Sequence, residues 1–271
     1  MPPQSRKASA WHDGFTAAVE VLAEDLDVRW LNLHPGDPEG QRESLERLDD
    51  CDFLLVKSNW RWIVDELVRA HSSRSGPRTG LVISGVADPP NRWRMRRYDV
   101  LFYETPWYAP KLRRHPRTIH AFGVDTRVMR PPPAGGERDI DWLSVGAIRP
   151  YKRHEALLAK DGRRVVVGDL TGADQAILAA LRDGGVEVID FLPYEELAAV
   201  YGRARNVLVP ATVEGGGERA VLEGRACGAR VEVAGDNPKL RSLAEMPEVW
   251  DHRYYAGRLR EGVDSLLAAQ A

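Results

Sequence analysis

Apolar residues recur along the chain in two alternating patterns: short β-branched or aromatic runs, and longer stretches with apolar positions three and four apart. Runs of the first kind predict strands at 28–34 (VRWLNLH), 52–57 (DFLLVK), 79–84 (TGLVIS), 99–104 (DVLFYE) and 117–122 (RTIHAF). Helices fit between them, at 16–24, at 44–48 and over 60–71, where Ile63, Val64, Leu67 and Val68 share one face. This is the order of parallel strands joined by crossover helices. Periodicity breaks at 129–139, MRPPPAGGERD, where three prolines and two glycines predict a linker. It resumes with strands at 141–146, 163–168, 186–190, 206–210 and 230–234. A last helix over 252–269 places Tyr255, Leu259, Val263, Leu266 and Leu267 on one face, which predicts that it packs back across the domains. The expected organisation is an α/β chain of two Rossmann-like domains, 1–128 and 140–271. The second has all five strands of such a unit; the first is reduced, with no apolar strand ahead of its first helix.

Composition narrows the function classes. Lys and Arg number 38 against 40 Asp and Glu, a formal charge of -2, which excludes a globally basic nucleic-acid binder. Cys51 and Cys227 are too few for a disulfide framework or a zinc site. No run approaches the ~20 apolar residues of a membrane span, and the opening MPPQSRKASA has no apolar signal region. A soluble, cytoplasmic protein without a transmembrane segment is expected. Charge is nevertheless uneven: from Arg69 to Arg117 eleven Lys and Arg face three acids, with Trp93, Tyr98, Trp107 and Tyr108 interleaved. Cations among aromatics suit a phosphate-bearing partner, nucleic acid included, while flat rings also bind ordinary glycans. The Asp50-Cys51-Asp52 string precedes a strand, the wrong end of a sheet for a ligand site, so no metal is expected.

Three blocks of the second half carry chemistry. The first, 120–131 (HAFGVDTRVMRP), is a strand ending in a Gly-Val-Asp turn. In the second, 141–158, a strand ends at Gly146 and a helix is expected after a short loop holding Arg149 and Lys152. Cations on a strand-to-helix turn, beside the positive end of a helix, suit a diphosphate. The third block, 186–234, runs through a strand to Phe191, a helix with Tyr194, a strand, and then Glu214-Gly215-Gly216-Gly217, which opens a helix bearing Glu218 and Glu223. Without Cβ atoms, the glycines let backbone N–H groups approach a ligand. Each feature alone also fits a plain reading, as solvated loop cations, a flexible turn and surface acids.

In this order and spacing the blocks resemble the donor-binding domain of the retaining GT-B glycosyltransferases of family 4, over 118–243. The resemblance implies two Rossmann-like domains facing across a cleft, and transfer of a sugar from a UDP- or GDP-sugar to an acceptor hydroxyl, with retention. It implies that Lys152, with Arg149 beside it, meets the leaving diphosphate next to Gly146. It likewise implies that the backbone at Phe191 meets the base, with Tyr194 on the following helix, and that Glu223 accepts the ribose hydroxyls. Glu214 then faces the sugar over Gly215, Gly216 and Gly217, with Glu218 as its rival. Two departures stand out: Ala147 occupies the family's arginine position, and eight residues rather than seven separate Glu214 from Glu223, an extra residue that the glycine loop can absorb. The acceptor is expected at the carboxyl ends of the first-domain strands, with His12, Asp13, Lys57, Arg92, Trp93, Arg94, Glu104 and Trp107 as candidates. Glycans, proteins, small molecules or a polyanion such as hydroxymethylated DNA would qualify. Two further readings share the architecture: a nucleotide-sugar 2-epimerase and a non-catalytic nucleotide-sugar-binding subunit.

Overall fold

A computed structural model describes residues 12–30, 51–57, 76–85, 88–89 and 91–268. The strand runs form two parallel sheets. The first contains β1 (Phe53–Lys57), β2 (Arg78–Ile83), β3 (Val100–Tyr103) and β4 (Thr118–His120), adjacent in that order. The second contains β5 (Ile140–Val145), β6 (Arg164–Val167), β7 (Glu187–Ile189), β8 (Ala204–Val209) and β9 (Arg230–Val233), in the spatial order β7-β6-β5-β8-β9. The order reverses about β5, and a crevice opens at such a switch point beyond the carboxyl ends of the strands.

The helices are α1 (Gly14–Leu22), α2 (Arg92–Met95), α3 (Ala109–Leu112), α4 (Gln175–Asp183), α5 (Tyr194–Arg203), α6 (Glu218–Ala226), α7 (Pro238–Ala244) and α8 (His252–Leu267). Four expectations are corrected or fall elsewhere. Residues 28–30 form no strand, and 31–34 lie outside the described residues, as do the helices expected at 44–48 and 60–71. The helix expected after Gly146 is instead a pair of 3-10 segments, Pro150–Lys152 and His154–Ala159. Arg153 between them is left-handed (φ 54), which breaks any continuous helix. The His154 ring pins the turn, lying 2.9 Å from Ser144 Oγ and 3.2 Å from the Ala147 carbonyl oxygen.

Alternation along the strands divides the core. Val82, Val100 and Phe102 join Phe15, Phe122 and Tyr255 in a cluster that continues through Met129 into Ile140, Leu143 and Val165. Leu81, Ile83 and Leu101 face the other way, against Tyr108 and Leu112. The final helix buries Tyr255, Leu259, Val263 and Leu266, with Leu267 at the margin, and packs on α1 and the first sheet. Gly262 permits this approach, since a Cβ there would collide with the Phe102 ring.

At the crossover between the sheets, backbones meet without side chains between them: a Cβ on Gly14 would strike the Gly123 carbonyl, and one on Gly123 the Asp251 carbonyl. Beside them the Asp125 side chain is fully buried. It accepts hydrogen bonds from the Arg127 backbone N (3.0 Å), Nε (2.9 Å) and Nη2 (2.8 Å), and its Oδ2 lies 2.7 Å from His12 Nε2. Burial opposes its charge, but the Arg127 and His12 bonds outweigh that and hold the carboxyl down at about 2.

Asp125→Ala would take the acceptor from the Arg127 backbone N–H and His12, while Arg127 keeps Glu20, and should lower unfolding free energy by about 1–3 kcal/mol in urea titrations at pH 7. Because the folded value lies below the ordinary 3.8, the ionic part of this stability is complete above that pH and is lost as pH falls toward 2. A loss under about 1 kcal/mol would show that the buried carboxylate holds nothing in place.

Candidate active site

The site grows from the carboxyl end of β5. Gly146 (φ 145) leaves room for Lys152, whose Nζ lies 3.4 Å from where a Cβ on Gly146 would stand. Burial pushes this ammonium down to about 8, against the pull of Glu218 and with added repulsion from Arg219 and Lys239. The lysine turn and the glycine loop are joined: Thr212 N donates to the Tyr151 carbonyl (2.9 Å), and a Cβ on Gly215 would lie 2.5 Å from the same oxygen. Gly216 (φ 68) and Gly217 (φ 107) then adopt left-handed conformations, and Gly217 caps α6 without any side-chain bond.

The structure separates the two rival glutamates. Glu214 is exposed on the 3-10 turn Val213–Gly215, whereas Glu218 is buried with its Oε1 2.8 Å from Lys239 Nζ. A Cβ on Gly216 would stand 3.5 Å from Glu218 Oε2 and 3.7 Å from Lys152 Nζ, so this carboxylate shares the loop with the lysine. Lys239 and Asn237, which sequence reasoning missed, brace the loop from α7. Lys239 Nζ donates to the Val213 carbonyl (2.8 Å), and Asn237 Nδ2 donates to those of Ala211 (2.8 Å) and Thr212 (3.0 Å). The Asn-Pro pair that opens α7 was the available signal.

Glu223 is buried, and its Oε2 accepts from the Tyr201 hydroxyl at 3.1 Å. Burial raises its pKa, with Arg219 and Tyr201 opposing. Tyr194 is buried edge-on to His12 at 5.3 Å between ring centres, and its hydroxyl has no hydrogen-bond partner among the described residues. Phe191 follows β7, half-buried, with its N bonded to Asp190 Oδ1 at 2.8 Å. Arg149 does not join Lys152: it is exposed, with Nη2 3.0 Å from where a Cβ on Gly172 would stand.

From the first sheet, Asp13, Lys57 and Glu104 converge on the same cleft. Asp13 caps α1, accepting from Phe15 N (2.8 Å) and Thr16 N (2.9 Å). Its Oδ2 also reaches across to Arg219 Nη1 at 2.7 Å. Burial opposes its charge, but Lys57, Arg219 and the two N–H groups hold it well below the carboxylate range. Lys57 Nζ lies 3.7 Å from Asp13 Oδ2 and 3.5 Å from Glu104 Oε1, and the Tyr255 hydroxyl donates to Glu104 at 3.4 Å. Burial pushes Glu104 up to about 7, against Lys57, with Glu218 adding to the rise. His12 is bonded to Asp125 at the crossover.

Arg92, Trp93 and Arg94 do not gather with this group. They form α2, which leads through Arg97 and Asp99 to bonds with Thr79, at the start of β2 and so at the opposite end of the sheet from Lys57. Trp93 is 68% exposed, with the Arg92 and Arg96 guanidiniums each 5.5 Å from its ring centre. Trp107 lies under Lys111 (3.6 Å) on the sheet face that packs Leu81 and Leu101.

Two facing Rossmann-like sheets, with a lysine turn and a glycine loop at the switch point of the second, define the GT-B fold. Among solved structures, the chain is similar to AviGT4, a glycosyltransferase involved in avilamycin A biosynthesis, at TM-score 0.61 and 19% identity over 88% of this chain and 82% of that one. It is similar to Anabaena HepE in complex with UDP-glucose, at TM-score 0.56 and 11% identity over 93% and 89%. It is also similar to UDP-GlcNAc 2-epimerase from Neisseria meningitidis bound to UDP-GlcNAc, at 0.54 and 14% over 94% and 89%. At these identities the likeness is one of fold. No protein-family model matches the sequence, and no curated protein matches it. No described helix is long and apolar enough to cross a membrane.

Glu104 gives a test of the cleft's electrostatics. Its folded pKa of about 7 lies above the ordinary 4.5, so ionising it costs stability, and the fold should weaken as pH rises from about 4.5 to 7. At about 1.4 kcal/mol per tenfold change in ionisation, the burden at pH 8 is about 3 kcal/mol. Glu104→Gln should therefore raise the melting temperature at pH 8 and have little effect at pH 4.5. Equal effects at both would place the charge elsewhere.

Proposed function

We propose that the chain is a nucleotide-sugar-dependent glycosyltransferase that moves the sugar of a UDP- or GDP-sugar to an acceptor hydroxyl with retention. Residues 140–271 hold the donor, 1–128 face the acceptor, and 129–139 join them. One observation carries the reading: the Lys152 ammonium laid over Gly146, beside the uncapped start of α6 and its glycines. Negative charge builds on a diphosphate as its bond to the anomeric carbon breaks, and a fixed cation with backbone donors stabilises that charge as it appears. The departing phosphate oxygen then accepts the proton of the incoming hydroxyl on the same face of the sugar, and no enzymic nucleophile is required.

Within this reading Glu218 takes the sugar-facing role, because it is the buried carboxylate beside Lys152. Glu223, oriented by Tyr201, accepts the ribose hydroxyls, and the backbone at Phe191 meets the base. Lys57 and Glu104 border the acceptor. A second reading, epimerisation of the donor sugar, is favoured by Glu104 alone: a buried carboxyl at about 7 can exchange a proton near neutral pH. Incubation with a panel of nucleotide sugars and candidate acceptors, followed by product analysis, separates the outcomes: glycosylated acceptor, epimerised donor, or binding without turnover.

Lys152→Ala should cut turnover by roughly a hundredfold or more while leaving the melting temperature near that of the parent. Since the ammonium is the working form and sits at about 8, kcat/KM should fall as pH rises past that value, and Lys152→Arg should move the decline to higher pH. Activity of the alanine variant within a few fold of the parent would overturn the assignment.

A further inference from the structure

Resting on that function, we infer that Arg219 is a second ligand of the donor diphosphate, and that the Asp13 carboxylate is its resting counter-ion, displaced when the diphosphate enters. Arg219 is the second residue of α6, the helix that opens directly after Gly215, Gly216 and Gly217. Its side chain is 54% exposed and reaches across the cleft to Asp13. A ligand can therefore meet it without opening the core.

Three features argue for an anion at this point. Arg219 stands three residues after Gly216, where a Cβ would lie 3.7 Å from Lys152 Nζ, so two cations flank one loop, and the guanidinium adds to the repulsion that lowers the Lys152 pKa. Glu218, the acid nearest Lys152, is already engaged by Lys239 at 2.8 Å. Arg219 itself belongs to the first turn of α6, whose first N–H groups have no side-chain cap and carry the partial positive charge of a helix N-terminus. A diphosphate matches this set: one phosphate for the ammonium, the other for the planar guanidinium, which can bind two oxygens at once. Among the described residues, Ala147 brings no charge here, Arg149 lies against Gly172, and Lys239 is engaged by Glu218 at 2.8 Å.

Asp13 is suited to give way. Its Oδ1 is held by Phe15 N and Thr16 N, and its Oδ2 has Lys57 at 3.7 Å in addition to Arg219. Losing Arg219 leaves Asp13 capped and still beside a cation. The exchange swaps one carboxylate for a phosphate on the same guanidinium, and it frees Asp13 and Lys57 to face the acceptor.

The test is calorimetric titration of the parent, Arg219→Gln, Arg219→Lys and Asp13→Asn with UDP and GDP, and with uridine and guanosine. The parent should bind one diphosphate more tightly than its nucleoside. Arg219→Gln should weaken that diphosphate about ten- to a hundredfold, the span of a lost charge-assisted bond, with nucleoside affinity unchanged. Arg219→Lys should lose less. Asp13→Asn, which still caps α1, should bind the diphosphate several-fold more tightly, its competing charge removed. Unchanged diphosphate affinity in Arg219→Gln, equal loss for diphosphate and nucleoside, or weaker diphosphate binding in Asp13→Asn would each overturn the inference while leaving the proposed function standing. A parent that binds neither diphosphate would overturn both.

Discussion

A carboxylate removed from water must find donors or unfold what surrounds it, and Asp125 finds them in segments far apart along the chain. Arg127 lies two residues on and His12 precedes α1, while His252, which begins α8, stands beside them with Nδ1 3.6 Å from Asp125 Oδ1, too far for a hydrogen bond. The side-chain-free contacts of Gly14, Gly123 and Asp251 close around it. Once this junction forms, the start of α1 has one place to be, and Asp13 projects into the cleft opposite Arg219. The electrostatics of the cleft therefore depend on a group that takes no part in binding.

The cleft itself interleaves charges from both sheets: Lys57, Glu104 and Asp13 on one side, Arg219, Lys152, Glu218 and Lys239 on the other. Burial opposes the charge of Glu104 and Lys152, opposite charges such as Lys57 and Glu218 offset it, and like charges add to it. The balance differs from group to group. Asp13, with two cations and two N–H donors, stays firmly ionised. Glu104 and Lys152 are left near neutrality from opposite directions, at about 7 and about 8. A site with an acid and a base both poised near neutral pH can shift a proton at little cost.

Much of this was legible in the chain. The strands of the second sheet, the apolar stripe of α8 and the lysine turn are local signals, set by spacings of two and of three to four residues. The sequence put Glu214 ahead of Glu218 for the sugar-facing role, but Glu214 stands exposed on the 3-10 turn Val213–Gly215 and Glu218 is buried against Lys239, an arrangement set by loop geometry that spacing alone does not reveal. Arg149 is turned toward Gly172, a neighbour that only tertiary packing brings to it, and the helix expected after Gly146 was undone by one left-handed residue, Arg153. Tyr201 and Arg219 gave no sequence signal, since each matters only through partners that tertiary packing brings to it. Trp93 looked like part of a basic, aromatic binding stretch, but its position on the α2 crossover sets it apart from Lys57 and Glu104.

The placement of α8 bears on how the chain acquires its shape. Residues 252–267 follow the whole second sheet, yet they cover the first one, with Gly262 against Phe102 and Tyr255 against Phe15 and Phe122. During synthesis the first sheet emerges early and keeps an apolar face uncovered until every strand of the second has been made. Its completion needs contacts between residues more than a hundred positions apart, such as His120 with Tyr254, and such long loop closures slow folding. The first sheet is thus made first and finished last.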